Sequence, residues 1–460
     1  MDIAILGVYG SAGVAAADEL STHAGDKIDN LYLIDGGEPG GLCILEGCMP
    51  SKAVLSSAKH AHDARSDPRV NADVQVNTKE TIEDKNKHIS SFAHHREQSV
   101  KSIAQSDSVQ LIEKDGYFRD ENTIELEDGS SLSVDYSVVA TGSSPNIPSI
   151  DGIDQVDYLT SSDLLDMKSL PDSMAIIGFG AIGMEMSAYL ASSGVDVTVV
   201  EHDESPIDNG SEDFGDELMD IYREEFGIDI ITESYEQSVE KTDDGIRLEL
   251  ESTDVHAEKL CVFAGRVPNT QSLGLENITD SVADNWYDDD LKVTSTDSVY
   301  VAGDATGDRM ILHIAKEQGL LVAENIMREI RGESIGKYSS PEHLVYFTGN
   351  GKYPFVRYGI SGDEAEQKDD LLTISRKAST DGIFGLKNAD KGLAKMVVEK
   401  DTGVIRGYEG LHLHADVMLK TMQVLIEQRA EVSNVPSRAY HPTTPELLDG
   451  LFREATERTE

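Results

Sequence analysis

One stretch of about 30 residues limits what this chain can become. An apolar strand, Met174 to Ile177, runs into Gly178-Phe179-Gly180-Ala181-Ile182-Gly183, a helix pattern follows over Met184 to Ser192, and a second apolar strand, Val195 to Val200, closes on Glu201. Strand, glycine turn, helix and strand in that order make a βαβ unit. Its glycines let the backbone approach a pyrophosphate, and the start of its helix presents unpaired N–H groups and a positive dipole end to that charge. A carboxylate at the end of the second strand suits the free ribose hydroxyls of NAD and repels a 2′-phosphate. No Arg or Lys occurs between Glu201 and Arg223. Gly178, Gly180, Gly183 and Glu201 are therefore expected to hold a dinucleotide, NAD(H) in preference to NADP(H), with NADP(H) not excluded. The alternative is a glycine turn that serves the fold alone.

The N-terminus repeats this pattern with a variation. Asp2 to Leu6 reads as a strand, Gly7-Val8-Tyr9-Gly10-Ser11-Ala12-Gly13 leads into an alanine-rich helix over Val14 to Leu20, and a strand from Leu31 to Ile34 ends at Asp35. Gly10 and Gly13 suit a GxGxxG turn, but Val8 stands where the first glycine belongs and Gly7 comes one residue early. The form of the tight turn is open, while the anion site at the helix start remains.

Between these two units lies Gly40 to Lys52, GGLCILEGCMPSK, which carries two of the three cysteines. Cys43 and Cys48 come just ahead of a helix-like run beginning near Lys52. A thiol at a helix start meets backbone donors and the positive dipole end, which stabilise a thiolate. Taken locally, the pair can be a redox dithiol, a structural disulfide or two reduced thiols packed as small hydrophobes. Zinc is disfavoured, because the spacing is not that of a CxxC knuckle and no second ligand pair follows. Cys261 lies in an apolar strand without a cysteine neighbour and reads as a buried structural thiol.

At 460 residues the chain exceeds one hydrophobic core, and two to three domains are expected. Its 39 basic residues face 85 acidic ones, a formal charge of −46 spread through runs such as Ser211-Glu212-Asp213 and Asp288-Asp289-Asp290. Nucleic acid and anionic membranes are poor partners for such a surface. It repels itself in dilute salt and is relieved by screening, as expected of adaptation to a very salty cytoplasm. No apolar run of about 18 to 20 residues and no basic segment leading into an apolar one occurs, so a soluble, cytoplasmic protein is expected. His88, His94 and His95 read as exposed helix residues, and no metal site is expected.

The GGxCxxxGCxPSK segment resembles the redox-active signature of the flavin-dependent pyridine-nucleotide disulfide oxidoreductases (class I), the family of dihydrolipoyl dehydrogenase, glutathione reductase and mercuric reductase. Further landmarks follow in the family's order: Ala140-Thr141-Gly142-Ser143, the complete second glycine turn with Glu185, Gly265-Arg266-Val267-Pro268-Asn269-Thr270, Gly303-Asp304-Ala305, and His441-Pro442-Thr443-Thr444-Pro445-Glu446. The resemblance implies that Cys43 exchanges with substrate while Cys48 faces the flavin, and that Lys52 pairs with Glu185 nearby. It implies FAD at Gly7, Gly10, Gly13, Asp35, Gly41, Lys52, Thr141, Gly142, Asp304 and Ala305, with Gly265 and Arg266 in the connection back to the flavin domain. His441 becomes the acid/base, with Glu446 orienting its ring. The family delivers this histidine across a two-fold axis, so a homodimer with shared active sites is implied.

The implied fold is α/β, two Rossmann-like domains binding FAD and NAD(P) followed by a C-terminal α+β dimerisation domain. Its segments are residues 1–148 and 271–338 for FAD, 149–270 for NAD(P), and 339–460 for the interface. Val109 to Ile112, Thr123 to Leu126 and Leu132 to Val134 read as a small meander. In the last segment, strands are expected over Leu344 to Thr348, Leu371 to Arg376, Ala394 to Glu399 and Val404 to Leu413, then a helix from His414 to Arg429. Phe347 to Gly359 departs from the family pattern. The implied activity is exchange of electrons between NAD(H) and a small dithiol or a lipoyl domain, as in dihydrolipoyl dehydrogenase. Alternatives are an NAD(P)H-dependent reductase of a low-molecular-weight disulfide such as bis-γ-glutamylcystine, then a mercuric reductase-like enzyme or a non-catalytic flavoprotein.

Overall fold

The computed structural model describes every residue except 208, 209, 281, 283–285, 437, 439 and 460. The chain divides into two compact units, one comprising Met1–Pro50, Asp84–Asn146 and Arg266–Ser340, the other Ser51–Glu83, Ile147–Gly265 and Pro341–Glu460.

In the first unit the apolar N-terminal strand Asp2–Leu6 lies at the centre of a five-stranded parallel sheet, flanked by Asn30–Ile34 and Val109–Ile112 on one side and Tyr136–Val139 and Val299–Val301 on the other. Parallel strands covered on both faces need apolar side chains in succession, which Ile3, Ala4, Ile5 and Leu6 supply at no more than 1% exposure. Helices Ser11–Ser21 and Leu312–Arg331 pack closely because Gly319 lacks a side chain; a Cβ there would lie 2.3 Å from the Ala12 carbonyl oxygen. Val109–Ile112 is thus an edge strand of this sheet and no part of the meander, whose strands are Gly116–Asp120, Thr123–Leu126 and Ser131–Ser133. A four-residue apolar run reads the same in either place.

The second unit holds another parallel sheet, in the order Asp229–Ile231, Asp196–Val200, Ser173–Ile177, Lys259–Val262 and Tyr158–Leu159. Helix Ala181–Ser192 connects its two central strands, and a three-stranded antiparallel sheet, Glu236–Thr242, Gly245–Leu250 and Asp254–Ala257, accompanies it. A five-stranded antiparallel sheet runs His343–Tyr346, Phe355–Gly359, Ile405–Leu411, Leu393–Glu399, Leu371–Lys377. Phe355–Gly359 is an additional strand within the segment that departs from the family pattern, and helix Glu446–Thr459 follows the HPTTPE motif. The helix expected from His414 begins at Ala415, with His414 in the left-handed region at φ 68°. Among the described residues no helix is long and apolar enough to cross a membrane.

Candidate active site

The two glycine turns have the same end geometry at different lengths. Gly7 adopts φ 91° and Gly178 φ 95°; a Cβ would lie 2.4 Å from the Ala140 carbonyl oxygen at the former and 2.5 Å from that of Phe263 at the latter. Gly13 and Gly183 each close on the first glycine, where a Cβ would come within 2.2 Å of Gly7 O and 2.1 Å of Gly178 O. Gly7 therefore has the conformation of a first glycine, and Val8, fully buried, is an inserted residue. Each turn is tied to the acid at the end of the second strand. Tyr9 N–H donates to Asp35 Oδ2 at 2.8 Å, and Phe179 N–H to Glu201 Oε2 at 2.6 Å. Burial raises the Asp35 pKa, with the donors of Tyr9 and Gly37 pulling it back. Glu201 Oε1 also accepts from His202 N–H at 2.7 Å.

A cavity of about 570 Å³ in the first unit has Asp35, Tyr117 and Asn269 in its lining, and a smaller one of about 120 Å³ is lined by Cys43, Cys48 and Asp304. Gly10, Gly41, Leu42, Ala140 and Gly142 line both. Gly41, at φ 65°, is pressed against the first turn, since a Cβ would lie 2.9 Å from Gly10 Cα. A glycine-lined waist over the start of helix Ser11–Ser21, between a carboxylate and a dithiol, fits an extended dinucleotide such as FAD. Ser143 joins two of the expected residues: its Oγ donates to Asp304 Oδ2 at 2.7 Å, and Arg266 donates through Nε to Ser143 Oγ at 2.8 Å and through Nη2 to the carbonyl at 2.7 Å. Burial lowers the Arg266 pKa, and the Asp304 charge acts against it. Thr141 and Asn269 exchange two bonds, Thr141 Oγ1 to Asn269 O at 2.7 Å and Asn269 Nδ2 to Thr141 O at 3.0 Å. Gly303 N–H donates to Gln318 at 2.7 Å, Ala305 is fully buried, and Gly265 takes φ 84°. Neither Ser143, Asn269 nor Gln318 is marked by the sequence motifs as a holding residue.

Cys43 lies in the short helix Gly41–Leu45, and Cys48 is the first residue of helix Cys48–Ser66, which starts ahead of the expected Lys52. Neither is joined in a disulfide. Cys43 sits against Cys48 within this pair. Its pKa is pushed up, first by the hydrogen bond with Cys48 and then by burial and the charge of the neighbouring sulfur, while the Cys48 N–H and Arg96 act against that rise. Two adjacent thiols hold a shared proton more tightly than either alone. Cys261 is buried with its Sγ 3.5 Å from Met174 Sδ.

The second unit carries the other groups. Lys52 Nζ reaches both Glu185 oxygens, at 2.7 and 2.8 Å, and stands 4.5 Å from the centre of the Phe347 ring. Phe347 N–H donates to Glu185 Oε1 at 3.2 Å, so the divergent segment adds a donor. His441 Nδ1 lies 3.1 Å from each oxygen of Glu446, which also accepts from Thr443 N–H at 3.0 Å. The His441 contact lowers the Glu446 pKa, helped by the Thr443 donor. The His441 side chain is 80% exposed, and Thr444 Oγ1 is 3.0 Å from His414 Nδ1. His88, His94 and His95 are exposed on helix Thr78–Ile103, and the described residues contain no His, Cys, Asp or Glu cluster suited to a metal.

Residues 1–319 match the family model described as pyridine nucleotide-disulphide oxidoreductase. The chain is 29% identical over 437 residues to dihydrolipoyl dehydrogenase 2 of Haloarcula marismortui, covering 90% of this chain and 89% of that protein. It is 27% identical over 474 residues to a mercuric reductase of Streptomyces lividans, covering 96% and 93%. Among solved structures, LpdA of Mycobacterium tuberculosis shares the fold with a TM-score of 0.84 at 23% identity over 99% of both chains. The HOCl-induced flavoprotein disulfide reductase RclA of Escherichia coli gives 0.83 at 21%, covering 98% of this chain and 99% of that one.

Proposed function

This chain belongs to the pyridine nucleotide-disulphide oxidoreductases, and from that membership we propose that it is a dihydrolipoyl dehydrogenase, exchanging electrons between NAD(H) and a small dithiol or lipoyl group through Cys43 and Cys48. The observation that carries this reading is the placement of the pair: two cysteines in mutual contact, lining the same cavity as Asp304 at one end of a dinucleotide-shaped cradle. Bound FAD supplies the two-electron relay between nicotinamide and dithiol. Gly10, Gly13, Gly41 and Gly142 would seat its backbone, Asp35 its adenosine ribose, and Asp304 its ribityl side.

The dithiol chemistry falls to this chain's own atoms. In the lipoyl direction, a thiolate of the substrate attacks Cys43 of the Cys43–Cys48 disulfide, forming a mixed disulfide and expelling the Cys48 thiolate; the second substrate thiolate then displaces Cys43 and closes the cyclic disulfide. Each attacking thiol must lose a proton, and His441, oriented by Glu446, accepts it. The Glu201 carboxylate at the end of the second strand supports NADH over NADPH, since it would repel a 2′-phosphate. In the proposed homodimer His441 of one copy serves the dithiol of the other, so neither copy is active alone. Its −46 charge, relieved by screening, supports work in high salt.

The test is a panel of dihydrolipoamide, lipoamide and small disulfides, each assayed with both nicotinamides in high salt. Dihydrolipoamide with NAD should be turned over best, and titration with one dithiol equivalent should give long-wavelength thiolate-to-flavin absorption that Cys48→Ser abolishes. Selective NADPH-driven reduction of a low-molecular-weight disulfide would replace this reading with the reductase one.

A further inference from the structure

Arg96 stands on helix Thr78–Ile103 in the first unit, half-buried in a chain with 85 acidic residues to 39 basic ones. Arg69, Arg247, Arg328, Arg357, Arg376 and Arg406 each have a carboxylate in ion-pair contact. Arg65 and Arg266 have none among the described residues but give well-formed hydrogen bonds to Ser192 and Ser143. Arg96 likewise has none among the described residues. Its one hydrogen bond there is a long one, from Nη1 to the Gly10 carbonyl oxygen at 3.5 Å. Taking a guanidinium from water without a counter-charge is costly, so the fold has placed a positive charge whose partner the described residues do not provide.

Its position says what the partner is. Gly10 caps helix Ser11–Ser21 without a side-chain cap and is one of the residues common to both cavities. Arg96 thus touches a residue of the waist between the Asp35 end and the dithiol end, standing beside the cavities without lining either. Its charge is also felt at Cys43, which lines the smaller cavity. A dinucleotide laid along both cavities has its pyrophosphate at that waist, and a planar guanidinium matches phosphate oxygens. We propose that Arg96 is the fixed counter-charge of the FAD pyrophosphate, an anchor supplied by the long helix in addition to the glycine turn. This rests on FAD being the occupant of the cradle.

The test compares holoprotein of the natural chain with Arg96→Met and Arg96→Lys, following FAD release and rebinding by flavin fluorescence at fixed high salt. Arg96→Met should weaken FAD about ten- to a hundredfold, the worth of a charged hydrogen bond, with Arg96→Lys between. Competition on the apoproteins separates the causes: ADP should lose affinity in Arg96→Met in similar proportion, and adenosine should not. Unchanged FAD affinity in Arg96→Met overturns the proposal, as does equal loss for ADP and adenosine. A shift only in the pH dependence of Cys43 alkylation also overturns it, assigning Arg96 to the thiol instead. If Arg96→Met does not fold, Arg96→Lys and Arg96→Gln carry the same comparison. A natural chain that binds no FAD removes the premise itself, a result distinct from all of these.

Discussion

The ammonium of Lys52 is shared between both carboxylate oxygens of Glu185, at 2.7 and 2.8 Å, inside a setting where the Glu185 side chain is only 10% exposed. Removing one partner leaves the other charge poorly compensated. Lys52→Met should therefore lower stability by about 1–3 kcal/mol, less than for a wholly buried pair because Lys52 keeps some access to water. Glu185→Gln should cost less, since an amide oxygen still accepts from Phe347 N–H. Denaturant unfolding in high salt measures both, and the opposite ranking would contradict this account.

If His441 serves the dithiol of a second copy, two inactive variants should repair each other. An equal mixture of His441→Ala and Cys43→Ser, after subunit exchange, should recover about a quarter of the natural sites, because half the dimers are mixed and each has one intact site. Activity measured beside sedimentation decides it; no recovery despite proven exchange excludes the shared arrangement.

Nucleotide choice should follow Glu201. Both its oxygens already accept backbone donors, which fixes the carboxylate in place against an incoming 2′-phosphate. kcat/KM for NADH should exceed that for NADPH by about tenfold or more. Glu201→Ala should narrow the ratio while also loosening the Phe179 turn, visible as weaker NADH binding.

Glu225 gives a pH prediction. Burial raises its pKa, but His62, Lys352 at 3.0 Å and Tyr353 at 2.7 Å outweigh this and hold it at about 2, from an ordinary 4.5. A carboxyl whose folded pKa lies below its unfolded one stabilises the fold above the unfolded value and loses that contribution as pH falls toward the folded one. The natural chain should lose thermal stability between about pH 4.5 and pH 2 more steeply than Glu225→Gln. Parallel slopes in melting experiments would count against it.

The βαβ units were legible because strand, glycine, helix and terminal acid repeat a pattern whose period and geometry leave few alternatives. Lys52 and Glu185 were legible as a pair only through family resemblance, since 133 residues separate them. Phe355–Gly359 escaped because a short strand behind a glycine-rich turn has no distinct period, and Val109–Ile112 because four apolar residues do not reveal their sheet. Arg96 could not have been singled out. It is one base in a polar helix, and what marks it is a half-buried guanidinium beside Gly10 with no carboxylate partner among the described residues, a property of the folded surroundings alone.

Val8 separates two fixed points, Gly7 beneath Ala140 and Tyr9 on Asp35, that are adjacent in the second turn as Gly178 and Phe179. Deleting it would leave Gly-Tyr-Gly-Ser-Ala-Gly, the regular spacing, yet the residue is fully buried where it stands. It acts as a wedge driven under the turn. Any slackening of the loop would have to uncover apolar surface, so the extra length makes this glycine turn stiffer rather than looser.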